Sequence, residues 1–158
     1  MAKRAASKKP ATTNTAARRE LGPDVLRRVV VEGVEPQVDC GRFPIKRVSG
    51  DPVTVTADIH ADGHDVVAAV ALYRRAGEET WSETPMQAVG NDRWEATFAV
   101  DGLGRYEYSI EGWIDRFASW RHELSKKIGS GQDVSSELLE GAAILADVLS
   151  RIPQGPDF

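Results

Sequence analysis

Residues Asn91–Trp120 read NDRWEATFAVDGLGRYEYSIEGWIDRFASW. This stretch holds three of the chain's four tryptophans and two of its three tyrosines, so the core should be anchored here. Trp94, Ala96, Phe98 and Val100 alternate with Arg93, Glu95, Thr97 and Ala99, the period of a strand with one face buried. Gly102-Leu103-Gly104 follows as a turn, because glycine enters positive φ without a steric cost. Tyr106, Tyr108 and Ile110 then alternate with Arg105, Glu107 and Glu111 in a second strand. Together the two runs predict a β-hairpin. Beyond Gly112, Trp113 and Phe117 take over the polar face, so the pattern predicts a bulge or bend at that glycine.

Working outward, Arg28–Val34 reads as a first strand, ended by Glu35-Pro36. Val53, Val55, Ala57 and Ile59 alternate with Thr54, Thr56, Asp58 and His60 in the most regular strand of the chain. Ala61–His64 is a turn signal, and Val66–Arg74 returns as a strand that is apolar on both faces. Such a strand belongs in the middle of a sheet with cover on both sides. Pro85 confines Trp81–Val89 to an edge or a kinked strand. Short strands at about ten-residue spacing predict a mainly β fold, an immunoglobulin-like antiparallel β-sandwich.

After Trp120 the period changes to that of a helix. Trp120, Leu124 and Ile128 share one face, and Gly129-Ser130-Gly131 ends it. Asp133 or Ser135 can cap a second helix with the apolar stripe Leu138, Ala142, Leu145 and Leu149. Two C-terminal α-helices should therefore follow the sandwich, with that stripe exposed for want of a partner. The expected division is a disordered basic tail over 1–20, the sandwich over 21–119 and a helical region over 120–158.

The 158 residues suffice for one core with an appendage. The formal net charge of −4 conceals six basic and no acidic residues within 1–19, which leaves the rest at −10. A body that acidic is a poor nucleic-acid surface, and the tail has no aromatic for base stacking. No apolar run approaches a membrane span. One cysteine, Cys40, cannot form an internal disulfide, which points to a cytoplasmic setting and a buried or half-buried thiol.

Candidate chemistry is sparse. His60, Asp62, His64 and Asp65 have metal-ligand chemistry but read better as turn-stabilising side chains, so no metal is expected. Glu107 and Glu111 share a strand face beside Arg105, and both should be solvated. Asp115, between Trp113 and Phe117, reads as a structural partner of Arg116 or Arg121. No catalytic or cofactor-binding residue is expected. The structural and interface candidates are Trp94, Trp113, Asp115, Arg116, Phe117 and Trp120.

Several of these stretches carry a resemblance. RFPIKR (42–47), DIHADGHD (58–65), NDRW (91–94), GRYEY (104–108), WIDRFASW (113–120) and GQDVSSELLEG (131–141) occur in this order. They resemble the amino-terminal domain of bacterial α-1,4-glucan:maltose-1-phosphate maltosyltransferases, the GlgE type, in the α-amylase-like superfamily. Cys40 stands where that pattern has glycine. The resemblance implies transfer of maltosyl units from α-maltose-1-phosphate to α-1,4-glucans on a (β/α)₈ barrel, which needs about 250 residues of its own. It further implies that this chain is a non-catalytic front piece, cut within a helical insert, that scaffolds the barrel and contributes to a homodimer. The alternative is a free-standing carbohydrate-binding module for an α-glucan. Neither reading requires a cofactor, nucleic acid or membrane.

Overall fold

The computed structural model describes residues 28–151; the expected tail over 1–20 and the start of the sandwich near residue 21 lie outside them. Seven strands precede two helices. The strands are β1 (Val29–Glu35), β2 (Pro52–Ala61), β3 (Val67–Arg75), β4 (Ser82–Pro85), β5 (Gln87–Gly90), β6 (Arg93–Ala99) and β7 (Tyr106–Ile114). The helices are α1 (Arg116–Gly129) and α2 (Ser135–Arg151). A four-stranded sheet in the order β1-β2-β6-β5 faces a three-stranded sheet in the order β4-β3-β7, and every pairing is antiparallel. This is the expected immunoglobulin-like sandwich followed by two helices.

Alternation decides what lies between the sheets. Val53, Val55, Ala57 and Ile59 of β2 meet Ala69 and Ala71 of β3, with Ala96, Phe98 and Val100 closing one side. Phe98 stacks on Tyr73 of the opposite sheet, ring centres 4.1 Å apart and nearly parallel. Trp94 packs against this core and donates its indole N–H to the Ile59 carbonyl at 3.0 Å. On the outer surface, the Arg93 guanidinium gathers β1 and β2 through Gly33 O, Glu35, Thr56 and Asp58.

Three expectations need correction. The run around Gly102–Gly104 is not a hairpin: β6 pairs with β2 and β5, whereas β7 pairs with β3 in the other sheet. The turn after β2 likewise carries the chain across the core rather than beside itself. Buried-face alternation is the same for a strand that pairs with its predecessor and one that faces it across a core. There is also no bulge at Gly112, because the β3–β7 register is unbroken from Val67↔Ile114 to Arg75↔Tyr106. Gly112 serves close packing instead: a β-carbon there would stand 3.0 Å from Val29 Cγ1 and 3.1 Å from Ile59 Cγ2.

Other readings fare better. β3 is the central strand of its sheet, and the Pro85 segment is an edge. Met86, between β4 and β5, is buried where the chain changes sheets.

Candidate interface at the sandwich–helix junction

β7 hands over to α1 within one residue. Asp115 has extended backbone, and its carboxylate accepts the Ala118 N–H at 2.8 Å, capping the helix. Its own N–H donates to Val66 O at 2.8 Å. Ser119 Oγ donates to Asp115 O at 2.7 Å and accepts the Val66 N–H at 2.8 Å. Such caps satisfy amides that a helix start leaves without partners. The expected pairing of Asp115 with Arg116 or Arg121 is therefore replaced by a backbone cap. α1 begins at Arg116, so Phe117 and Trp120 lie on a helix rather than on the strand face assigned to Phe117.

α1 and α2 form a hairpin of helices. Trp120 donates its indole N–H to Glu137 O at 2.6 Å, and its ring lies on Gly141, where any β-carbon would overlap it. Phe117 sits 5.3 Å from the Trp120 ring, tilted by 38°. Near the turn, Lys127 is hydrogen-bonded to the Glu137 carboxylate. That bond holds the Glu137 carboxyl below the usual range and raises Lys127 above it. Asp133 accepts the Ser135 N–H and hydroxyl at the start of α2, which lowers its carboxyl in the same way.

Only Gly141 and Ile144 are buried in α2, with Glu137 half-buried on the same face. The stripe Leu138, Ala142, Leu145 and Leu149 is exposed as expected, Leu149 by 64%. Leu139 and Val148 widen this apolar face. Between the helices and the sandwich lies a groove of about 610 Å³, where Arg28, Asp65, Arg116, Glu123 and Glu140 surround Trp120. Arg28 pairs with Asp65 at 2.7 Å and donates to Asp62 O at 3.0 Å.

The structure thus brings Asp115, Arg116, Phe117 and Trp120 to one junction, with Phe117 39% exposed. Trp94 belongs to the sandwich core, away from this cluster. Trp113 takes a third position, 46% exposed on the outer face of the three-stranded sheet opposite Ala68. On that same sheet Arg74 lies over the Trp81 ring at 4.2 Å and pairs with Glu107 at 3.0 Å. Arg74 is therefore the partner of Glu107.

At the other end of the sandwich, Ile45, Arg47, Leu103, Tyr106 and Tyr108 line a pocket of about 150 Å³. Tyr108 donates to Pro36 O at 2.9 Å, and burial raises its phenol above the usual value. Cys40 is exposed, which corrects the expected burial. It lies in a run of positive φ (Asp39 50°, Cys40 52°, Gly41 79°), the backbone region that favours glycine. Among the described residues, no group of three or more His, Cys, Asp or Glu side chains is placed to hold a metal ion. No described helix is long and apolar enough to cross a membrane.

Two residues of this junction escaped the sequence reading. Ser119 gave no signal beyond being a hydroxyl near a strand end. Gly141 did: an isolated glycine inside a helical pattern costs about 1 kcal/mol relative to alanine and marks a close approach.

Residues 27–154 match the family model for α-1,4-glucan:maltose-1-phosphate maltosyltransferase, domain N/S. Among curated proteins, the maltosyltransferase of that name from Chlorobaculum tepidum is 53% identical over 122 residues, covering 77% of this chain and 18% of the relative. Its namesake from Myxococcus xanthus is 49% identical over 130 residues, covering 80% and 20%. The Methylacidiphilum infernorum protein is 41% identical over 125 residues, covering 79% and 19%. The chain thus spans about a fifth of the length of the relatives it matches. With its sandwich, its helical hairpin and these matches, the chain belongs to the domain N/S family of the α-1,4-glucan:maltose-1-phosphate maltosyltransferases.

Proposed function

We propose that this chain is the amino-terminal, non-catalytic part of a cytoplasmic enzyme that transfers maltosyl units from α-maltose-1-phosphate to α-1,4-glucans. One observation carries the reading. Identity of 49–53% extends over about four fifths of this chain but only about a fifth of each relative. The chemistry is then assigned to the larger remainder, a catalytic barrel, and this piece scaffolds the barrel and joins a homodimer. The exposed apolar face of α2 and the junction of Arg116, Phe117 and Trp120 supply surfaces for those contacts. The side chains themselves support a structural role: Asp115 caps a helix, Glu107 pairs with Arg74, and Asp58 pairs with Arg93.

The test is phosphate release from α-maltose-1-phosphate in the presence of glycogen. Residues 1–158 should give none above a buffer blank, whereas the full-length protein should give a steady rate. Activity in the short chain would overturn the assignment.

A second reading, a carbohydrate-binding module, draws on Trp113. An indole 46% exposed on a sheet face is a platform on which a sugar ring stacks. Retarded migration of the chain in a glycogen-containing gel, abolished by Trp113→Ala, would favour it.

A further inference from the structure

The sandwich core comes to the surface at the end away from the helices. Val53, Phe98 and Val100, each at most 9% exposed, form the floor of the 150 Å³ pocket there, with Tyr106 and Tyr108 of β7 as a wall. The pocket is left open because Gly102 and Gly104 border it without side chains, while Leu103 between them is 86% exposed. The loops around it are pinned. Gly50 N–H donates to Val100 O at 3.2 Å, Gly102 N–H to Ser49 Oγ at 3.0 Å and the Arg75 guanidinium to Leu103 O at 2.9 Å. A pocket held in this way orders little on taking up a ligand, which removes one of the costs of binding.

The polar side chains that remain available to a ligand are donors. Both tyrosine hydroxyls are already committed, Tyr106 to Asp101 O and Tyr108 to Pro36 O. Ser49 Oγ accepts the Gly102 N–H, so its own O–H is left to donate. Arg47 gives one N–H to Lys46 O at 2.9 Å, and among the described residues no carboxylate pairs with it. Glu107 borders the pocket but sends its carboxylate to Arg74 at 3.0 Å. The charge of Arg47 is felt inside: burial raises the Tyr108 phenol, and the guanidinium opposes that rise.

We propose that this pocket binds a small monocarboxylate whose apolar body is about the size of a benzene ring. The ring lies against Phe98 and Val100, and the carboxylate sits at the mouth on the Arg47 guanidinium and the Ser49 hydroxyl. Volume sets the body: an enclosed cavity of about 150 Å³ lined by Leu, Ile and Phe takes up benzene. The donors set the head. A guanidinium presents paired N–H groups that match the two oxygens of one carboxylate, and such charge-assisted bonds are about twice as strong as neutral ones. A neutral ligand leaves Arg47 without a counter-charge, and a cation is repelled by it. An apolar lining with a few convergent polar groups is the usual make-up of a small-molecule site. The proposal goes beyond maltosyl transfer and does not rest on that reading.

Titration of residues 1–158 with para-fluorobenzoate, read by amide NMR, tests this. The amides of Val100, Gly102, Gly104 and Tyr106 should shift and saturate, with Gly141 in the helical hairpin unmoved. Sodium chloride at matched ionic strength should not reproduce those shifts. Benzyl alcohol keeps the ring without the charge, and acetate keeps the charge without the ring; each should bind about tenfold more weakly. Arg47→Gln should weaken para-fluorobenzoate about tenfold and leave benzyl alcohol unchanged. Arg47 is exposed, so the variant should keep the fold, and the comparison of the three ligands needs no variant. In the full-length protein, the fluorine line of para-fluorobenzoate should broaden, and Arg47→Gln should sharpen it again. Shifts that are absent, fail to saturate or appear with chloride overturn the proposal. Equal binding of benzyl alcohol, or undiminished binding to Arg47→Gln, overturns it too. So does binding to residues 1–158 that is missing from the full-length protein, which would give the pocket to a side chain of the longer protein.

Discussion

The sandwich and the helical hairpin close their cores differently. Between the sheets, Val55, Ala57, Ile59 and Ala71 are all within 1% of full burial. In the hairpin, burial reaches only Gly141 and Ile144, while five large apolar side chains of α2 remain at least 48% exposed. The sheets supply two apolar faces to each other. The helices hold each other through Trp120 and the Lys127–Glu137 ion pair, and the widest apolar face of α2 stays exposed. Helices of 14 and 17 residues are marginal by themselves, because most helix stability in proteins comes from packing. The sandwich should behave as the stable unit and the hairpin as its loosely attached partner.

The largest effect should come from cutting into the sandwich. Phe98→Ala removes a buried ring stacked on Tyr73 and should cost about 3–5 kcal/mol in urea unfolding. A loss below about 1 kcal/mol would mean that the two sheets do not depend on each other there.

Gly141→Leu sharpens the contrast. It forces a side chain into the Trp120 ring and should undock α2. Amide exchange over Ser135–Arg151 should then rise about tenfold, with the sandwich midpoint moving by less than about 0.5 kcal/mol. A joint collapse of both regions would show that they form one cooperative unit.

Acid should separate the regions more gently. The Glu137 carboxyl is depressed by its bond to Lys127, so the stabilisation is complete above the free glutamate value of about 4.3. It is lost as pH falls through the lower folded value. Asp133, depressed by Ser135, acts in the same direction. Lys127 is raised, so its share is present below about 10.4 and lost as pH rises through the higher folded value. Trp120 fluorescence should therefore change below about pH 4 before the sandwich melts. Lys127→Met should remove most of that early change.

The smallest effect on stability should come from the exposed leucines. Leu145→Glu with Leu149→Glu should shift unfolding by less than about 0.5 kcal/mol, since neither side chain is buried. Self-association seen by light scattering should nevertheless fall, because an exposed apolar patch drives it. Unchanged association would place the sticky surface elsewhere, with Trp113 the next residue to replace.

The candidate junction was only partly legible from residues. Trp120 and Phe117 were visible as large aromatics, but their roles depend on a helix that begins at Arg116, inside a run whose alternation suggested a strand. Asp115 stands three residues before the amide it caps, a spacing that means a cap only once a helix is known to start. Gly141 has meaning only when Trp120 lies against it.

By itself the sequence determined which side chains of β2, β6 and β7 face inward, where the turns fall, that two helices follow and which family motifs are present. Those properties are local: alternation reflects the geometry of a single pleated strand, and capping and turn residues act within a few positions. Tertiary structure alone decided that β6 and β7 lie in opposite sheets, that Gly112 admits Val29 and Ile59, and that β7 pairs with β3 alone among the described residues. A buried face looks the same whether its neighbour lies beside it or across the core. Only long-range pairing, which brings residues such as Val67 and Ile114 together, separates the two.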